Sequence, residues 1–181
     1  MLSTARLRLR RFRDADRDAF AALNADPEVM EFFPNPLNRQ QSDALLDRIN
    51  ANFDRDGFGI WAVEAAGTLI GMVGLARVPA ELPCAPAVEV LWRLARAGWG
   101  HGYATEAASA AMNDGAQYHD LKAIVSFAAA PNQRSQAVMR RLGMVRDPDG
   151  DFDHPRLAAG HRLRRHVLYR WRTDGDRHAI R

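Results

Sequence analysis

Three glycines within five residues, Gly98-Trp99-Gly100-His101-Gly102, stand between an apolar run, Val88–Leu94, and an alanine-rich stretch at 103–117. This order constrains the fold more than any other feature. A strand that passes through a glycine turn directly into a helix belongs to a layered α/β arrangement. The start of a helix leaves several backbone N–H groups unpaired and carries a partial positive charge. Glycines just before it let an anion approach the backbone, so the turn is expected to hold a phosphorylated ligand. The alternative is a tight turn that binds nothing. The Gly-x-x-x-x-Gly-Lys-Ser/Thr phosphate loop is absent. The third glycine of a dinucleotide fingerprint is also missing, because Tyr103 stands where it would fall.

The rest of the chain fills in the layers. Residues 6–12 alternate, with Leu7 and Leu9 on one side and Arg6, Arg8 and Arg10 on the other, which predicts a half-buried strand. Asp14 is expected to cap a helix reaching Asn24, with Ala19, Phe20 and Leu23 inward. Asn38 and Gln41 have capping-box spacing ahead of a helix carrying Leu45, Leu46, Ile49 and Phe53 on one stripe. Residues 58–64 and 68–78 predict a strand pair, and 123–128 another strand. A helix begins at Pro131-Asn132 and ends at Gly143. Residues 144–147 and 165–171 supply the last strands. The sum is a mixed α/β sheet with helices on its faces. Residues 1–173 are expected to form a single domain, and 174–181 a frayed tail.

Composition excludes several functions. Hydrophobic residues make up 47% of the 181, enough for a core, yet no run approaches the roughly 18 apolar residues of a membrane span. The first 13 residues lack an apolar signal core, and Cys84 is the only cysteine, so a cytoplasmic protein without disulfides is expected. Lys122 is the only lysine among 25 basic residues, and the net charge is +3. Both signs are scattered, which argues against nucleic acid as a partner, while the arginines suit an anionic cofactor. Cys84 has no neighbouring base in sequence, and the six histidines show no tight ligand spacing. Neither a cysteine nucleophile nor a metal is expected.

The segment Trp99-Gly100-His101-Gly102-Tyr103-Ala104-Thr105-Glu106-Ala107 resembles the acetyl-CoA motif of the GNAT superfamily in its RimJ/RimL-like branch. The resemblance extends to residues 4–12, 26–30, 59–63, 70–75 and 132–144. Two departures are Trp99, where the superfamily usually has Gln or Arg, and Leu91, where relatives often have glycine. The resemblance implies the GNAT fold, a mixed central sheet of about seven strands flanked by four helices and splayed at its central strands. It implies an acetyl-CoA-dependent N-acetyltransferase without a metal, acting on a primary amine of a small molecule or a protein N-terminus. It also implies a frequent homodimer, which the long apolar helices permit. Backbone N–H groups of Gly100, His101, Gly102, Tyr103, Ala104 and Thr105, next to Trp99, would hold the pyrophosphate. Backbone groups of Leu91, Trp92, Arg93 and Leu94 would pair with the pantetheine arm, Asn132 would bond that arm, and Ser135 would sit near the sulfur.

The reaction needs a neutral amine, hence a base. Glu89 is the candidate, since an apolar strand would raise its pKa; it serves equally well as a solvent-facing or ion-paired residue. A backbone N–H near Leu91 or Trp92 suits the oxyanion. No tyrosine occurs at 133–142, so Ser135, or water beside it, is the candidate to protonate the thiolate; its alternative is bonding at the helix start. Phe32, Phe33, Trp61 and His154 are candidates to line the acceptor pocket. The aromatics serve as well in a core, and His154 in anchoring a loop. Two further readings stay open: a CoA-binding sensor without turnover, and a basic nucleic-acid-binding module.

Overall fold

The computed structural model describes residues 1–173; the expected tail at 174–181 lies outside them. The strands are β1 (Leu2–Ser3), β2 (Leu7–Arg10), β3 (Ile60–Ala65), β4 (Thr68–Arg77), β5 (Val88–Leu94), β6 (Ala123–Ala129), β7 (Val145–Asp153) and β8 (Arg165–Arg172). The helices are α1 (Arg17–Ala25), α2 (Arg39–Asp56), α3 (Tyr103–Tyr118) and α4 (Gln133–Arg141). One mixed sheet runs β1-β2-β3-β4-β5-β6-β8-β7, so the GNAT architecture stands with eight strands rather than about seven. The added strand is β1, two residues that become a strand only by pairing Leu2 with Leu9.

Local chemistry explains several boundaries. Asn38 and Gln41 form both halves of the capping box, each backbone N–H bonding the other side chain at 2.9 Å. Gly57 ends α2 with φ 76°, a left-handed conformation that only glycine adopts cheaply. The expected cap at Asp14 does not form. Asp14–Asp16 is a 3₁₀ turn, and the buried Asp16 takes Arg10 Nη1 at 2.6 Å, Nη2 at 2.7 Å and the Arg13 N–H at 2.8 Å. Helix α1 therefore starts later and leaves Ala19 exposed. Strand β7 outruns its predicted end at 147. Its register breaks between Asp147 and Phe152, where Pro148 has no N–H and Asp147 bonds the Gly150 N–H at 3.2 Å.

The core lies on both faces. Phe20 and Leu23 of α1 and Leu46 and Ile49 of α2 pack with Ala62 and Met72 on one face. Ala107, Ala108, Ala111 and Met112 of α3 pack with Val63, Val73 and Val90 on the other. Strands β1 to β5 are antiparallel neighbours. The parallel join of β5 to β6 has one rung, Glu89 opposite Val125, beside which Ser126 Oγ donates to Val90 C=O at 2.9 Å. Beyond it the strands splay. No helix among the described residues is long and apolar enough to cross a membrane.

Candidate active site

The glycine turn is built by its own backbone. Ala95 N–H bonds Ile70 C=O at 2.8 Å, and Arg96–Gly98 makes a 3₁₀ turn. Trp99 then folds back so that Nε1 donates to Leu94 C=O at 2.8 Å. Gly100 and Gly102 both have φ 77°. No side chain caps α3, and nothing lies within 4 Å of where a Cβ on Gly100 would stand. Uncapped donors facing open space are what a phosphate needs, so the turn fits the pyrophosphate of acetyl-CoA. Glu106 braces the turn from behind: Thr4 Oγ1 donates to it at 2.6 Å and Arg6 Nε at 2.7 Å, while Arg6 Nη1 bonds His101 C=O at 2.9 Å. His101 stacks on Tyr103 at 5.2 Å.

The turn opens on a cleft of about 700 Å³ between the end of β5 and the start of α4. The cleft gathers Trp92, Arg93, Leu94, Trp99, Gly100, His101, Gly102, Tyr103, Ala104, Thr105, Asn132 and Ser135, together with Phe32 and Phe33. Glu89, Leu91, Trp61 and His154 are not in its wall. Trp61 is 7% exposed and packs edge-on against Phe53 at 4.3 Å, a core position. His154 lies 5.1 Å from His166, and its Nδ1 accepts the Arg156 N–H at 3.3 Å within its own loop. Burial and the nearby Arg156 charge push its pKa down.

The β4–β5 register refines the expected pantetheine contacts. Backbone groups along an antiparallel strand point alternately to either side. With Ala95 bonded to Ile70, those of Leu91 and Arg93 turn to β4, and those of Trp92 and Leu94 to the gap. The Leu94 carbonyl is already taken by Trp99. Trp92 N–H and C=O and Leu94 N–H therefore face the splay. Across it, Trp92 Nε1 donates to Ser135 Oγ at 3.2 Å, and the Ser135 N–H is capped by Asn132 Oδ1 at 3.0 Å. Both α4 residues thus also bond the helix start, and Asn132 Nδ2 makes no hydrogen bond among the described residues.

Glu89 shares its face of β5 with Leu91 and Arg93. Its carboxyl has no hydrogen-bond or ion-pair partner among the described residues, and burial pushes its pKa up to about 8. Burial first, then the Glu89 charge, raises the half-buried Cys84 thiol, the opposite of an activated nucleophile. Arg134 went unnoticed in the sequence. Its guanidinium lies 4.5 Å from the Trp99 ring and 5.6 Å from Phe32, contacts between distant segments that no local spacing announces.

Residues 6–145 match the acetyltransferase (GNAT) domain family. The chain is 29% identical over 146 residues to the uncharacterized protein YkkB of Bacillus subtilis (strain 168), covering 79% of this chain and 84% of that one. An acetyltransferase from Agrobacterium tumefaciens str. C58 superposes with a TM-score of 0.76 at 27% identity, over 94% of this chain and 92% of that one. RimL, the ribosomal L7/L12 alpha-N-protein acetyltransferase in complex with coenzyme A, gives 0.76 at 18% identity, over 96% and 97%, a likeness of fold.

Proposed function

This chain belongs to the acetyltransferase (GNAT) family, and on that premise we propose that it moves an acetyl group from acetyl-CoA to a primary amine by direct attack on the thioester. The observation that carries the reading is the uncapped glycine turn opening onto the same cleft as the unpaired edge of β5. RimL, described as a complex with coenzyme A, supports the cofactor. Acetyl-CoA supplies the activated carbonyl. Backbone N–H groups from Gly100 to Thr105 hold its pyrophosphate. Leu94 N–H and Trp92 C=O pair with the pantetheine arm in place of a neighbouring strand, and Asn132 Nδ2 bonds it.

Trp92 N–H, rather than Leu91 N–H, is the oxyanion donor, because Leu91 faces β4. Glu89 removes the amine proton. It stands three residues from Trp92, roughly 10 Å along a strand, so the proton travels through water. Ser135 keeps its hydroxyl hydrogen while accepting from Trp92, which leaves it free to protonate the thiolate. The acceptor is a small amine or a protein N-terminus, as in the RimJ/RimL-like branch. Phe32 and Phe33 form its wall. The reading is tested by thiol release from acetyl-CoA over a panel of amines. Acceptor-dependent release is expected; tight acetyl-CoA binding with no release for any amine would instead make the protein a sensor.

A further inference from the structure

Two arginines are buried among the described residues, and they are treated differently. Arg10, 7% exposed, holds Asp16 with Nη1 and Nη2 and Glu64 with Nε. Arg93, 9% exposed, has no carboxylate partner among the described residues. Its Nη1 donates to Asn24 Oδ1, and its guanidinium carbon lies 4.2 Å from the centre of the Phe33 ring. Its Nε is shut off from solvent and bonds nothing. A buried cation without a counter-charge is strongly unfavourable. Burial alone pulls this one down to about 10, which still leaves it charged at neutral pH.

The guanidinium is also fixed in place. Asn24 Nδ2 donates to the buried Ser42 Oγ at 2.9 Å, so α1 and α2 together set the orientation of Arg93. With Nη1 committed to Asn24 and Nε shut off from solvent, Nη2 is the donor left for a ligand. A charge-assisted bond from it suits a carboxylate oxygen. Arg93 lines the cleft beside Phe32 and Phe33. A fixed cation against an aromatic wall suits an organic acid with an apolar body.

We propose that Arg93 is the carboxylate anchor of the acceptor site, and that the acetyl acceptor is an amine that itself carries a carboxylate, an amino acid or a short peptide with a free C-terminus. This rests on the acetyl-transfer reading above. An acceptor without a carboxylate leaves the buried charge unpaired, and a polyamine adds like charge beside it, so both are rejected.

The test compares thiol release from acetyl-CoA with glycine, diglycine, triglycine, phenylalanine and phenylalanylglycine, each against its C-terminal amide, with spermidine as a cationic control. Rates are corrected for the fraction of neutral amine. The free acids are expected to exceed the amides in kcat/KM on the order of tenfold or more, mainly through KM. Arg93→Gln is expected to bring the ratio to within about twofold, and Arg93→Lys, which keeps the charge and loses the planar guanidinium held by Asn24, to an intermediate value. An acetyl-CoA-dependent rise in Tm shows which variants fold; if neither does, the wild-type ratio decides. Equal rates for acids and amides, preference for spermidine, or an unchanged ratio in a folded Arg93→Gln overturns the anchor and leaves acetyl transfer standing. Acetyl-CoA binding without release for any acceptor overturns both.

Discussion

Burial pushes the Glu89 carboxyl up to about 8, and no counter-charge pairs with it among the described residues, so the group ionises late. As a base it must be deprotonated, so kcat/KM is expected to rise with pH through about 8. Glu89→Gln should remove that inflection and lower turnover on the order of 10²- to 10⁴-fold, with little change in acetyl-CoA affinity. A pH–rate profile matching the wild type would strike Glu89 out as the base. The same shift acts on stability. The folded state holds this proton more tightly than the unfolded one, so stability falls as pH rises from the ordinary glutamate range to about 8. Glu89→Gln should therefore raise Tm more at pH 9 than at pH 5. The burial of Glu89 was legible in the sequence because an acid inside the run Val-Glu-Val-Leu is conspicuous. The isolation of Arg93 was not legible: Asn24 and Phe33 reach it from segments about 60 residues or more away.

Elements bounded by helix caps and glycine stops were read well, and those bounded by side-chain or strand pairing were not. The capping box of α2 and the glycine stops after α2 and α4 depend on neighbours in sequence. The start of α1 depends on Asp16 folding back onto Arg10 of β2, and β1 exists only through its pairing with β2. Likewise, the backbone groups of β5 that face the gap follow from its register with β4, which the sequence does not print. Two predictions belong here. Asp16 is pushed up by burial, yet the hydrogen bonds from Arg10 and Arg13 outweigh this and hold its pKa below the usual range. The stability it contributes is present above the ordinary aspartate pKa and lost as pH falls below it. Asp16→Asn should cost about 3 kcal/mol in urea unfolding at pH 7, with a smaller deficit in acid. In the turn, Gly102→Ala should cost about 1 kcal/mol, because φ 77° disfavours any Cβ. Gly102→Glu should in addition abolish acetyl-CoA binding in a thermal-shift titration, since it sets a negative charge at the proposed pyrophosphate site.

For the molecule as a whole, acetyl-CoA at about 100 times its Kd should add about 2.7 kcal/mol to stability, a rise of about 5–10 °C in Tm for a chain of this size. No rise at millimolar acetyl-CoA would remove the cofactor site from the turn. The general architecture was legible because strand and helix periods alternate cleanly along the chain. The narrowness of the join between β5 and β6 was not, since splay is a relation between strands 30 residues apart. That single rung divides the sheet into two blocks, β1–β5 and β6–β8. Without ligand, the two blocks are expected to open at different free energies, and amide hydrogen exchange should show two protection levels. A pantetheine arm in the gap, as proposed, would join both sides, so saturation with acetyl-CoA should merge the two levels into one. On the proposed reading, binding the donor would complete the fold as well as load the reaction.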